Sequence, residues 1–226
     1  MDKIKDYFQQ IWVISNPSNP EKFQITAEKL AKFGLEANEF KGVDKRILDA
    51  YVIDDFRDTN AMACTLSHLS LIQKAYDNDW KNIWIFEDDV MLHENFIELM
   101  EANISILNTI WWEMALFGSV AQYDEWDKGK KHRKLFYSDK KYIEAHNYPE
   151  VSFFATHCYA VRRYLYDEIL KKAKTYKGAI DNLYVDRFHK KSVSGMLIFN
   201  PSVAIQHPCY LTIEEQMNPN FKGEYI

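Results

Sequence analysis

The sequence predicts an α/β fold built on a mostly parallel sheet, and three observations carry that prediction. The chain opens as strand–helix–strand. Its most apolar run, Asn82-Ile83-Trp84-Ile85-Phe86, shows no polar alternation. That run ends abruptly in three carboxylates, Glu87-Asp88-Asp89. A strand without alternation is one covered on both faces, and a strand–helix–strand unit sets neighbouring strands parallel.

Taken in order, Ile11-Trp12-Val13-Ile14 reads as a buried strand closed by the turn Ser15-Asn16-Pro17. Asn19-Pro20-Glu21 has the form of an N-cap followed by Pro at the first helical position. Phe23, Ala27 and Leu30 make one apolar helical face, Gly34 stops the helix, and Leu35 to Phe40 is the second strand. Residues 42–60 are polar and irregular. A helix is expected from about Ala63 to Tyr76, with Cys64, His68, Leu71 and Ala75 on one face and Leu69, Ile72 and Tyr76 beside it. After the acidic triplet, Phe96, Met100, Ile104 and Leu107 mark another helix, and Met114 to Phe117 is a strand closed by Gly118. Residues 121–150 are rich in Lys, Asp, Tyr and His and read as an acceptor or lid loop. Val151 to Val161 returns to strand composition. Leu165 to Ala173 and Asp181 to Lys191 are helical, and Met196 to Phe199 and Val203 to Ile205 are short strands.

Composition narrows the function. The 226 residues are 47% hydrophobic and 27% charged, which fits a single globular domain over 1–226 and excludes disordered and fibrous classes. A net charge of −5 supplies no general field for nucleic acid. No apolar run approaches the roughly 20 residues of a membrane span, and Met1-Asp2-Lys3-Ile4-Lys5-Asp6 lacks a signal-peptide core. Cys64, Cys158 and Cys209 form neither a disulfide framework nor a Cys-x-x-Cys pair, so a reducing, cytoplasmic setting is expected.

The triplet is the most informative feature. Ligands of open α/β sheets bind at the carboxyl ends of the strands. Carboxylates crowded there repel one another and lose hydration, and a cation relieves both effects. Oxygen donors suit Mn²⁺ or Mg²⁺. The competing reading is that Asp88 or Asp89 caps the helix that follows. His207, after the Val203-Ala204-Ile205 strand, reads either as a surface residue or as a third, nitrogen ligand. His68 reads either as a core imidazole tied to a backbone carbonyl or as a site residue. Asp181 reads as an N-cap or as a general base. Phosphate loops, Gly-x-Gly-x-x-Gly, Gly-x-Ser-x-Gly and His-Glu-x-x-His are absent. The basic run from Lys128 to Lys134 is short and reads as solvated.

These pieces, in this order, resemble glycosyltransferase family 25, the lipooligosaccharide and procollagen galactosyltransferase group. Ile11 to Asn16 is similar to the opening strand that ends in Asn, and Phe40-Lys41-Gly42-Val43-Asp44 to the segment ending in Val-Asp. Ala63-Cys64-Thr65-Leu66-Ser67-His68 resembles a Gly-Cys-x-x-Ser-His helix, and Ile85 to Val90 the Glu-Asp-Asp signature. Trp112-Glu113 to Gly118, Ala155 to Val161, Ile180-Asp181 and Asn200-Pro201 continue the order, so all but residues 121–150 are covered. The chain departs from the pattern at Ala63 and Lys45, where the family has Gly. It also has only Lys22 where the family often carries Arg after the first strand.

The resemblance implies a GT-A nucleotide-sugar-binding sandwich and hexose transfer, of galactose or glucose, from a UDP-sugar with inversion. The acceptor would be a glycan, a lipid-linked glycan or a hydroxylysine-type hydroxyl, reached from the cytoplasm or the periphery of a membrane. It implies Glu87 and Asp89 at the metal and Asp88 at the donor; His207, by its place after the late strand, is a candidate third ligand. Asn16, Val43 and Asp44 would lie near uridine or ribose, and Ser67 and His68 beneath the donor. Asp181 would be the acceptor-side base, with Glu113 and Asp186 in reserve. A non-catalytic GT-A-like binding module and a nucleotidyltransferase are the alternatives.

Overall fold

The computed structural model describes residues 2–50, 58–127, 130–176, 178–188, 194–206, 212–217, 219–220 and 223–226. The chain begins α1 (Asp2–Tyr7), β1 (Ile11–Ser15), α2 (Glu21–Lys32), β2 (Asn38–Lys41), α3 (Lys45–Ala50), α4 (Thr59–Asp77) and β3 (Asn82–Glu87). It continues with β4 (Val90–Leu92), α5 (Phe96–Leu107), β5 (Met114–Asp127), β6 (Lys130–Leu135), β7 (Tyr142–Glu144) and β8 (Val151–Arg162). The last elements are α6 (Arg163–Ala173), α7 (Ile180–Phe188), β9 (Met196–Phe199), β10 (Ala204–Gln206) and α8 (Ile213–Gln216).

One sheet runs in the order β2-β1-β3-β8-β5-β9-β7, with β6 paired to β5. β1 lies parallel to β2 and β3, and β9 parallel to β5. β8 enters antiparallel between β3 and β5. Five strands (β1, β2, β3, β5 and β9) therefore point one way, and the α/β class with a mostly parallel sheet holds. β4 and β10 form a separate two-stranded ribbon at the carboxyl end of β3.

The lack of alternation in β3 has the expected cause. Trp84 and Phe86 enter an apolar cluster with Ile4 and Phe8 near α1, Leu30 of α2 and Phe96, Met100 and Ile104 of α5. Ile83 and Ile85 enter the opposite cluster with Leu71 and Ile72 of α4, Leu165 and Ile169 of α6 and Leu183 of α7. Helices thus cover both faces, and β3 is fixed from either side. Gly34 ends α2 as expected. With φ at 70°, it lets Gly34 N donate to Ala31 O at 2.8 Å and Leu35 N to Leu30 O at 3.0 Å, while Leu30 and Leu35 pack together in the core.

Several local expectations are corrected. Asn19 makes no side-chain cap; Pro20 occupies the N-cap position with helical angles. The second strand is Asn38–Lys41 rather than 35–40, because Leu35 is spent closing α2. α4 starts earlier, at Thr59, since Asp58 accepts from Asn60 N at 2.9 Å, and Tyr76 lies exposed. Gly118 does not end its strand. A Cβ there would lie 2.2 Å from Ala204 O and 2.3 Å from His157 Nε2, so glycine permits a close approach of β5 to β10. The register shifts around it and β5 continues to Asp127. Residues 121–150 accordingly contain a β5–β6 hairpin, β7 and a short 3-10 turn, Ala145–Asn147, rather than a loop. α7 begins at Ile180 and is described to Phe188, so the rest of the expected 181–191 helix lies outside the described residues, as does His207. Among the described residues no helix is long and apolar enough to cross a membrane.

Candidate active site

The ends of β1 and β3 lie side by side, with Ile14 opposite Glu87, so the turn after β1 meets the acidic triplet. Asn16 N donates to Asp88 Oδ2 at 2.5 Å, and Asn16 Oδ1 accepts from Ser18 N at 2.9 Å, shaping that turn. Thr26 of α2 donates its hydroxyl to Asp88 O at 3.0 Å. Asp88 is thereby a fastened corner. It does not cap a helix, and neither does Asp89: β4 intervenes, and α5 starts at Phe96 after Asn95.

Ser67 ties the opposite wall. Its Oγ donates to Ala63 O at 2.6 Å and accepts from Val43 N at 2.8 Å, while Gly42 N donates to Ser15 O at 2.9 Å. A Cβ on Gly42 would stand 2.9 Å from both Ser15 O and Ser67 Oγ. Glycine is therefore required where the chain leaves β2, a constraint that the sequence reading did not draw from Phe40-Lys41-Gly42-Val43. His68 is buried, but it is not tied to a carbonyl. Nδ1 lies 2.9 Å from Tyr159 OH and Nε2 lies 3.2 Å from Glu87 Oε1. Tyr184 OH lies 3.2 Å from Tyr159 OH, so Glu87, His68, Tyr159 and Tyr184 form one hydrogen-bonded chain.

The carboxylates of the triplet differ in electrostatics. Burial pushes Glu87 up, but His68 and the Thr156 hydroxyl, which donates to Oε1 at 2.7 Å, outweigh it and hold the carboxyl below its ordinary value. Asp88 is raised by burial, against the Asn16 N–H. Asp89 is pushed up to about 7 by burial and by the charge of Glu87, with Lys22 opposing. Among the described residues, the side-chain donor that reaches it is the Gln206 amide, which Glu87 shares. Two carboxylates converging on one neutral donor, with Asp89 reluctant to ionise, fit a divalent cation. Hard oxygen donors fit Mn²⁺ or Mg²⁺. A softer set also exists: Cys64, His68 and Glu87 each offer a ligand atom, all within 4.8 Å of one another. Burial holds the Cys64 thiol well above its usual range, which keeps it protonated and favours the oxygen pair.

Two clefts meet at this point. The first, about 190 Å³, is lined by Asn16, Lys22, Val43, Ser67, His68 and the whole triplet. Lys45 lines it too and adds a second cation to Lys22. The second, about 180 Å³, is lined by Ala155, Thr156, Asp181 and Gln206. Glu87 and Cys64 line both. Asp181 sits inside the first turn of α7, where its Oδ1 accepts from Asn182 N at 2.7 Å. Burial raises its carboxyl, countered by the Asn182 and Ala155 N–H groups. Ala155 has φ at 79°, a left-handed conformation that costs a non-glycine residue about 1–2 kcal/mol and aims its N–H at Asp181.

Three candidates stand apart. Asp44 is absent from the cleft lining; Arg46 holds its carboxylate at 2.6 Å and keeps it below the ordinary value. Glu113 precedes β5 at the far end of the sheet. Met114 and Ile83 both pair with Val161, which sets Glu113 about five residues, ~16 Å at the usual strand rise, from Glu87. Asp186 lies on α7 but lines neither cleft. Gln206, Thr156 and Lys45 are the site residues that the sequence did not disclose.

Comparison with characterised proteins returns no match. The family model described as "Glycosyltransferase family 25 (LPS biosynthesis protein)" matches residues 8–187, which include both clefts' walls from Asn16 to Asp181. With the acidic strand end, the turn after β1 and the elements from β1 to α6 in the matched span, the chain belongs to glycosyltransferase family 25 and is a glycosyltransferase.

Proposed function

We propose that the protein transfers galactose or glucose from a UDP-sugar to a hydroxyl of a glycan or lipid-linked glycan, with inversion and with Mn²⁺ or Mg²⁺ as cofactor. The single observation that supports this most is the shared wall. Glu87 borders a basic-rimmed cleft on one side and the Asp181 cleft on the other, as a donor and an acceptor meeting at one carbon require.

Glu87 and Asp89 would hold the ion, with His207 a further candidate, and the bound ion would supply charge neutralisation for the departing diphosphate. Lys22 and Lys45 attract that diphosphate from the rim, while Asn16 and Val43 present the turn backbones to the nucleoside. Ser67 and His68 keep the floor rigid: one ties Val43 to α4 and the other donates to Glu87. Asp181 takes the proton of the acceptor hydroxyl. The hydroxyl oxygen then bonds to the anomeric carbon as the bond to UDP breaks on the opposite face. Burial raises the Asp181 carboxyl, which makes it a stronger base for the role. β5, whose Val120 lines the Asp181 cleft, runs on into the β5–β6 hairpin, to which this reading gives acceptor choice. The acceptor is approached from the cytoplasmic side of a membrane.

The test is a screen of UDP-sugars for UDP release and transfer, with and without Mn²⁺. Release from UDP-galactose or UDP-glucose that ceases in excess EDTA is expected. Full turnover in EDTA overturns the metal role, and no turnover with any UDP-sugar overturns the donor class.

A further inference from the structure

β10 ends on Gln206, whose backbone is gripped from one side by a single side chain. Gln206 N donates to Gln216 Oε1 at 3.0 Å, and Gln216 Nε2 donates to Gln206 O at 2.8 Å. Gln216 is itself buried. On the other side, Gln206 pairs with Val90 of β4, the residue next to Asp89. This fixes where the Gln206 side chain starts, and its amide reaches the acidic pair. Nε2 lies 3.3 Å from Glu87 Oε2 and 3.4 Å from each Asp89 oxygen. An amide nitrogen has two hydrogens, yet three carboxylate oxygens converge on it, all at the long end of hydrogen-bond range. A neutral dipole thus stands where two carboxyl groups converge.

We propose that Gln206 is a ligand of the divalent cation through Oε1, and that in the metal-free protein the same amide, turned by half a revolution, screens Glu87 from Asp89 through Nε2. The proposal rests on the metal-dependent reading above. The terminal torsion of glutamine is broad and nearly two-fold, so exchanging nitrogen for oxygen needs no movement of β10. The amide oxygen is a hard donor of the kind that Mn²⁺ and Mg²⁺ accept. Charge explains why an amide serves better than a carboxylate. Glu87 and Asp89 together balance the two charges of the ion, and a third carboxylate would make the centre anionic and repel a diphosphate. A neutral oxygen completes the ligand set and leaves the centre open to an anionic donor.

The experiment uses the full chain and Mn²⁺ itself, read by the loss of the free-ion electron paramagnetic resonance signal, together with melting temperature in EDTA and with Mn²⁺. Gln206→Ala is expected to weaken Mn²⁺ binding on the order of tenfold, the low end of the loss seen when a supporting contact is removed at a metal site. It should also melt earlier than the wild type in EDTA, because the screening donor is gone. Gln206→Glu should keep Mn²⁺ binding at least as tight as the wild type while binding UDP more weakly in its presence. If Gln206→Ala binds Mn²⁺ as well as or better than the wild type, the amide is no ligand and the proposal alone is overturned. If the wild type binds no Mn²⁺, the metal-dependent reading fails and the proposal falls with it.

Discussion

Replacing Asp89 by Asn tests the electrostatics of the strand end without any substrate. In the fold the carboxyl is raised from the ordinary 3.8 to about 7, first by burial and then by the charge of Glu87. A raised folded-state value favours the fold when the group is protonated; that stability is complete below the unfolded value and drains away as pH climbs toward 7. Above pH 7 the ionised group therefore costs the metal-free protein at most about 4 kcal/mol, at ~1.4 kcal/mol for each pH unit between the two values. Pocket relaxation and entering water bring the expected cost to ~1–2 kcal/mol. Asp89→Asn removes it, because the new amide can donate to Gln206 Oε1 or to Glu87. In EDTA at pH 8 the variant should melt several degrees above the wild type, at ~2–4 °C per kcal/mol for a chain of this size. At pH 4 the difference should nearly vanish. Mn²⁺ should raise the melting temperature of the wild type and leave the variant unmoved. Equal gains at both pH values would refute the ionisation cost, and a variant stabilised by Mn²⁺ as strongly as the wild type would remove Asp89 from the metal site.

Three other perturbations separate the roles of the walls. Asp181→Asn should bind UDP normally and keep its melting temperature, yet transfer sugar ~10²–10⁴-fold more slowly; normal turnover would move the base elsewhere, and Glu113 stands at the wrong end of the sheet to take over. Gly42→Ala forces a methyl group against a backbone oxygen and the Ser67 hydroxyl, each 2.9 Å away, so a loss of ~1–3 kcal/mol in denaturant unfolding and weaker UDP binding by calorimetry are expected. Unchanged stability would mean that the β2–α3 connection yields freely. Replacing the hairpin between Asp124 and Lys134 by a short turn should spare UDP affinity and impair transfer; lost UDP affinity in a folded variant would assign the hairpin to the donor side.

What the sequence makes legible here is local. β3 announces itself because both of its faces are buried, so its pattern depends on no other strand, and the three acids that follow mark the ligand edge by position alone. The direction of β8 was not legible: nothing within Val151–Arg162 tells whether it pairs parallel or antiparallel, since that is decided by β3 and β5 on either side. The 121–150 stretch reads as a loop because β6 is polar in all but Leu135 and its described residues are exposed or half-buried, so no apolar alternation marks it.

The same limit explains the site. Glu87, Asp88 and Asp89 are adjacent in sequence and equal in chemistry, and nothing in the triplet distinguishes them. Their differences come from partners 19 to 119 positions away. His68 and the Thr156 hydroxyl hold the Glu87 carboxyl below its ordinary value, against burial. Asp88 is spent on the Asn16 turn. Among the described residues, the side-chain donor to Asp89 is the amide it shares with Glu87, and burial with the charge of Glu87 raises its carboxyl to about 7. A centre with one fixed and one conditional negative charge remains less repulsive while empty than one with both fixed. It also gains its full attraction for a cation only as that cation binds and displaces the Asp89 proton, so binding should tighten as pH rises toward 7. That division of labour is written by α4, β8 and β10 rather than by the three acids themselves.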